Sequence, residues 1–300
     1  MSSRRYPVSG PLDLRRTLGP LGRGLGDRTI RFAPGRVWRA TRTADGPASV
    51  AITQTADEIV AEAWGPGAER ALEAVPELLG LCQPPDRTPW GHPLLAQLAR
   101  RFPGVRIPRS RAVLEAFVPA ILEQKVIGEE ARRAYFSLIH MHGEPAPGPP
   151  EWGLRLPPRP EALAAIPYYD FHPLGVERRR AELIRRVAGR AAWFEQIVDL
   201  PLPEAYSRLT AVPGIGPWTA AEVGVRALGD ADAVSVGDFH LPNLVAFALA
   251  GEPRATDARM LELLEPYRGR RALAVRLLEL SGISAPRYGP RLPIHRIHSS

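Results

Sequence analysis

Two glycines and one aspartate carry the first chemical suggestion in this chain of 300 residues. Gly214 and Gly216 stand in the run PGIGP at residues 213–217, after an apolar helical face marked by Leu202, Tyr206, Leu209 and Val212 and before a second helix opened by Pro217. Proline suits a first helical position, the glycines permit positive φ and the close approach of another backbone, and Ile215 can plug the gap between the helices. The pattern reads as a helix-hairpin-helix. Successive backbone N–H groups at such a turn, with the positive end of the following helix, suit a nucleic-acid phosphate without any side-chain charge. Contact of this kind positions a duplex but reads no sequence. The turn alone is equally an αα-corner. Some twenty residues further on, GDFH at 237–240 opens another apolar helix. Asp238 there is either an N-cap, worth about 1 kcal/mol, or a carboxylate free for chemistry.

The elements that must hold these residues fall into two parts. Short β-rich runs at 29–32, 37–43, 50–54 and 59–64, broken by Pro34-Gly35 and Asp45-Gly46, predict an antiparallel sheet. A closing helix is expected over 67–81, with Leu72, Val75 and Leu79 on one face. Beyond Ser110, read as a helix cap, the pattern is helical: Val113, Phe117, Ala120, Ile121 and Gln124 share one stripe. Pro119 is expected to bend that first helix, and a second restarts near Gly128. Seven prolines between 143 and 160 predict a solvent-facing loop that tolerates change. Helices are then expected over 160–166, 176–194, 203–211, 217–228, 241–250, 257–264 and 270–280, with a tail beyond. The fold class is α+β, with an antiparallel-sheet domain at 1–105, a mostly α region at 106–284 and a tail at 285–300.

These residues resemble the helix-hairpin-helix DNA glycosylases, and among them the 3-methyladenine DNA glycosylase II branch. The resemblance is carried by VPGIGPWTA at 212–220 and by Asp238 at the family's aspartate, with support from AILEQKV at 120–126, RRRAELI at 178–184 and EPYRGRR at 265–271. It covers roughly residues 105–280, and the strand-rich start is similar in character to that branch's N-terminal domain. It implies that Asp238 is the catalytic carboxylate, facing C1′ of a nucleotide flipped out of duplex DNA carrying damaged bases. Its charge would stabilise an oxocarbenium-like sugar and orient a water. Both uses need the carboxylate ionised, which a helix N-terminus favours. Trp218, Phe239 and Tyr267 become base-pocket candidates, because an electron-rich ring attracts a cationic alkylated purine by about 0.5–2 kcal/mol. The anion site becomes Gly214, Ile215, Gly216 and Thr219, joined by Gln124 and Lys125 where relatives insert an apolar wedge. Val126 or Ile127 would then do the wedging. Neither cofactor nor metal is implied, and a monomer in the cytoplasm, associated with the nucleoid, is expected.

Two departures bear on mechanism. Bifunctional members attack with a lysine just after the turn, where this chain has Trp218; its only lysine is Lys125. Hydrolysis without strand cleavage is therefore expected. Glu222 stands where close relatives carry another aromatic, which leaves open a more polar pocket and a different base: uracil, a deaminated purine or an oxidised base. A non-catalytic protein that docks on damaged DNA is a further alternative. His240 can be a base by proximity or simply pack, and Arg178, Arg179, Arg180, Arg268, Arg270 and Arg271 are phosphate-contact candidates.

Composition sets the outer limits. Hydrophobic residues make 45% and charged residues 24%, ordinary for a globular chain, while 33 prolines and 27 glycines predict many loops. The formal charge of +7 favours polyanions. Cys82, the single cysteine, excludes an internal disulfide and a cysteine-ligated iron–sulfur cluster and fits a reducing interior. Residues 1–14 hold Arg4 and Arg5 but no apolar core, and the longest apolar run, 244–250, is far too short to span a bilayer. Neither export nor membrane insertion is expected. His295 and His298 are spaced i, i+3 but lie among prolines without carboxylates, and read as a disordered tail.

Overall fold

The computed structural model describes residues 1–82 and 88–286, so His295 and His298 lie outside the described residues. Five antiparallel strands, β1 (Ser2–Pro7), β2 (Ile30–Ala33), β3 (Arg36–Thr43), β4 (Gly46–Gln54) and β5 (Glu58–Trp64), lie in the order β1-β5-β4-β3-β2. In β5 buried and half-buried residues alternate strictly, as a strand with one covered face requires. Val37, Val50, Ile52 and Ile59 form that covered face, against Leu72, Val75, Leu78 and Leu79. Each such side chain contributes roughly 1.5–3 kcal/mol on burial. The expected helix over 67–81 is two short ones, Ala68–Glu73 and Val75–Leu78, with Pro76 starting the second. β1 is an addition: its Arg4 and Arg5 hide a strand that is held by pairing with β5 and by the Tyr6 hydroxyl donating to the Leu72 carbonyl.

The proline-rich stretch differs from expectation. Glu144–Pro145 and Arg155–Leu156 pair as two short strands, and Leu154 and Leu156 are buried against Ala40 on the sheet's other face. Trp152 packs edge-on to Trp64 at 4.7 Å. The segment covers the sheet instead of facing solvent, because Trp152, Leu154 and Leu156 alternate with Gly153 and Arg155 and share one apolar face.

The central helical core is built on Val113–Leu122, apolar on nearly every side as a buried helix must be. It runs through Pro119, whose carbonyl still accepts from the Glu123 amide at 3.0 Å. Its start is capped from 81 residues away: the Glu195 carboxylate accepts from the Val113 and Leu114 amides at 2.9 and 2.8 Å. Ser110 Oγ only approaches the Ala112 amide, at 3.4 Å, so the expected serine cap gives way to a glutamate from another helix. Gly128–His142 follows as expected, whereas the expected helix over 176–194 divides into Arg178–Ala188 and Ala191–Glu195. A cavity of about 960 Å³ separates this core from the sheet. On its wall Arg39 and Thr41 both donate to Glu115, at 2.7 and 2.9 Å.

A second helical core joins distant parts of the chain. The helix Pro93–Arg101, unexpected from sequence, packs Leu95 and Leu98 against Val245, Met260, Leu264 and Leu277 of Leu241–Ala250, Asp257–Leu264 and Arg271–Leu280. Among the described residues no helix is long and apolar enough to cross a membrane.

Candidate active site

The hairpin forms as its residues dictate. Leu202–Thr210 and Pro217–Val223 flank the turn, with Val212 and Ile215 buried between them and the Ile215 amide donating to the Val212 carbonyl at 3.0 Å. Leu202 is the exception on the expected face, being exposed. Gly214 has φ +102°, and a Cβ there would meet Leu183 Cδ2 at 3.1 Å. Gly216 has an ordinary extended backbone, and a Cβ there would meet nothing within 4 Å. The two glycines thus serve different ends, Gly214 for fold and Gly216 for open access. After Val223 the chain widens into a π-helical turn, Gly224–Leu228, where the Tyr206 hydroxyl reaches across Gly224 to Asp230 Oδ2 at 2.7 Å. Burial and the Asp230 charge push that hydroxyl well above its usual range, so it remains a donor.

The turn between the first two central helices docks on the hairpin. Gln124 Nε2 donates to the Gly214 carbonyl at 3.1 Å and to Thr219 Oγ1 at 2.9 Å. Thr219 is buried and Gln124 is half-buried, so these two brace the turn while the next residue, Lys125, stands exposed. Lys125 has φ +56°, a left-handed backbone that non-glycine residues adopt at some cost. Val126 and Ile127 are half-buried behind it.

Asp238 meets the hairpin directly. Its Oδ2 accepts from the Trp218 indole Nε1 at 3.0 Å, and its Oδ1 accepts from the His240 and Leu241 amides at 2.7 and 2.8 Å. The aspartate therefore holds the first amides of Leu241–Ala250 from two residues before its N-cap position, His240, and sets its other oxygen against Trp218. Gly237, at φ +91° and bonded through its amide to Asp257 Oδ2 at 3.1 Å, makes the bend that presents it.

No family model matches the chain. A probable bifunctional transcriptional activator/DNA repair enzyme AlkA of Mycobacterium tuberculosis is 31% identical over 171 residues, 56% of this chain and 32% of the relative. DNA-3-methyladenine glycosylase 2 of Escherichia coli is 29% identical over 178 residues, 58% of this chain and 60% of the relative. The chain thus spans about a third to three-fifths of the length of these curated relatives. A solved 3-methyladenine DNA-glycosylase from Archaeoglobus fulgidus superposes with a TM-score of 0.75 over 93% of this chain and 98% of its own, at 22% identity. The chain shares the fold of that solved glycosylase and is similar in sequence to AlkA and DNA-3-methyladenine glycosylase 2.

The residues expected in one pocket have further partners in the structure. Tyr267 is buried in the second helical core, its ring 5.8 Å from that of Trp90. Phe239, 83% exposed, points to solvent with its ring edge-on to His240 at 4.9 Å. Glu222 pairs with Arg226 and accepts from Ser235 Oγ at 2.6 Å. Burial alone would raise its carboxyl, but Arg226 and Ser235 hold it below the usual range. Since the Asp238 amide donates to the Ser235 carbonyl at 3.2 Å, Glu222 supports the bend that carries Asp238. Sequence reading missed Arg226 and Ser235; the i, i+4 spacing of Glu222 and Arg226 was the available signal.

Three of the six candidate phosphate-binding arginines serve the fold. Arg180 is buried and donates to the Leu122 carbonyl at 2.7 Å, against the expected phosphate contact. Arg270 holds the Thr88 and Pro89 carbonyls at 2.7 Å each and covers Trp90, and Arg271 forks onto Asp232. Arg178 and Arg268 are exposed but paired with Glu182 and Glu265. Arg179 is exposed on the helix start.

Proposed function

We propose that this protein is a monofunctional DNA glycosylase that hydrolyses the N-glycosidic bond of alkylated purines of the 3-methyladenine type in double-stranded DNA. The observation that carries the reading is the 3.0 Å bond from Trp218 to Asp238, which couples the DNA-positioning hairpin to the carboxylate. With the hairpin on the phosphate of a flipped nucleotide, Asp238 lies beside the sugar. As the bond from C1′ to the purine breaks, its electron pair leaves with the base and neutralises the alkylated ring. Positive charge grows on the sugar, where a fixed carboxylate stabilises it. Water then bonds to C1′, and its proton passes to Asp238 or to solvent.

Trp218 turns its N–H to Asp238, which leaves the indole face for the cationic base. Because such a base is already a good leaving group, no strong general acid is required, and His240 is not assigned one. Glu222, neutralised by Arg226, gives no separate support for an uncharged polar base. A Schiff base needs an amine at the sugar, where this chain has Trp218, and that supports hydrolysis without strand cleavage. The test is mass spectrometry of bases released from DNA carrying alkylated, deaminated and oxidised lesions. Release of 3-methyladenine and 7-methylguanine is expected; release of uracil or oxidised bases alone, or of none, overturns the reading.

A further inference from the structure

We propose that residues 23–27 form a second DNA-contacting element, in which Leu25 enters the minor groove beside Lys125. The proposal rests on the reading of this protein as a DNA glycosylase. Leu25 is fully exposed, at 105% of the reference area for its type. Leaving a leucine in water forfeits the burial that folding back could recover. The loop is built so that it does not fold back. The Asp27 carboxylate, itself buried, accepts from the Arg23 amide at 2.9 Å, the Thr29 amide at 2.8 Å and Thr29 Oγ1 at 2.7 Å. Its amide closes the loop onto the Gly24 carbonyl at 3.1 Å. Gly26 lies so near Phe136 that a Cβ would meet the ring at 2.7 Å.

The loop also stands at the surface already assigned to DNA. Buried Arg23 donates to Glu123 Oε1 at 2.9 Å, and Glu123 is two residues before Lys125. Between them Gln124 is bonded to the hairpin carbonyl of Gly214, so the loop, the Lys125 turn and the hairpin are joined by direct contacts. Three exposed cations belong to this loop or its neighbours: Arg28 three residues after Leu25, Arg132 with its stem beside Gly24, and Lys125 two residues after Glu123. The acids at the start of the neighbouring helix are offset, Glu129 by Arg133 at 3.2 Å and Glu130 by the charge of Arg180. An apolar tip accompanied by positive charge matches a minor groove, where an inserted leucine parts a base step and flanking phosphates meet the cations. A duplex that has lost one base from its stack bends easily there. Lys125 then supplies charge and Leu25 the apolar surface.

The test compares Leu25→Ala and Lys125→Ala on a duplex with a tetrahydrofuran abasic analogue, by fluorescence anisotropy across a salt series. Melting temperatures of the variants serve as folding controls. Leu25→Ala is expected to melt like the parent, bind the analogue at least tenfold more weakly and keep the salt slope. Lys125→Ala is expected to lower that slope by about one. A 2-aminopurine next to the abasic site should brighten with the parent and not with Leu25→Ala. Parent-like affinity of Leu25→Ala, within twofold, overturns the proposal, as does failure of the parent to bind the duplex. If the parent binds but releases no alkylated base, the proposed activity fails while the Leu25 contact is judged on the binding data alone.

Discussion

Replacing Asp238 by asparagine removes one charge and changes little else, which isolates what the carboxylate does. A full charge about 4 Å from a developing sugar cation is worth roughly 4 kcal/mol at an effective dielectric constant near 20. That corresponds to about three decades in rate. The asparagine Oδ1 can still accept from the His240 and Leu241 amides, so the cap on Leu241–Ala250 survives. Its other atom becomes an NH₂ facing the Trp218 indole N–H, and that hydrogen bond, worth about 1 kcal/mol, is lost. Asp238→Ala loses the cap as well, about a further 1 kcal/mol. Single-turnover release of 7-methylguanine, with enzyme in excess, is therefore expected to fall about 1,000-fold in Asp238→Asn. Affinity for an abasic duplex should hold, and the melting temperature should drop by about 2 °C, against roughly twice that for Asp238→Ala. A rate within tenfold of the parent refutes the electrostatic role, and equal melting of the two variants refutes the cap.

The two hairpin glycines should separate fold from access. Gly214→Ala, forced to φ +102° against Leu183, is expected to lower stability by about 1–2 kcal/mol in chemical denaturation. Gly216→Ala should melt normally and bind DNA more weakly, since its Cβ occupies only the open space offered to a phosphate. Borohydride added during turnover on lesion-containing DNA should trap no covalent complex; a trapped complex would contradict hydrolysis. Burial pushes the Glu195 carboxyl up to about 7, against the Val113 and Leu114 amide bonds that lower it. The folded protein then holds a proton between about pH 4.5 and 7 that the unfolded chain has released, so this group's contribution to stability falls as pH rises through that window. Glu195→Gln should flatten that part of the stability profile, and an unaltered profile would count against the assignment.

The hairpin was legible because its residues act locally: proline starts a helix, glycine takes positive φ, and isoleucine fills the gap whatever surrounds them. Asp238 was legible as a cap for the same reason, and only the fold brings Trp218 to it. What sequence could not show were partners supplied from afar. Glu195 caps a helix 81 residues earlier, and Arg180 reaches a carbonyl 58 residues away, so neither role has a spacing to read. Tyr267 had the right chemistry for a pocket, but the ring of Trp90 beside it had no spacing to read. β1 escaped notice because an edge strand can be mostly polar when its neighbour supplies the order.

The second helical core is closed by Pro93–Arg101 near the start of the helical part and Arg271–Leu280 at its end. Asp238 stands just before Leu241–Ala250, a helix of this core, while Trp218 lies on Pro217–Val223, a helix of the other core. During synthesis the early helix must wait, its apolar face uncovered, until some 180 further residues have emerged. The Trp218–Asp238 pair is therefore among the last features of the molecule to form. A nascent or C-terminally shortened chain would present a formed hairpin without a positioned carboxylate; on the proposed reading it would hold a phosphate before it could cut a base.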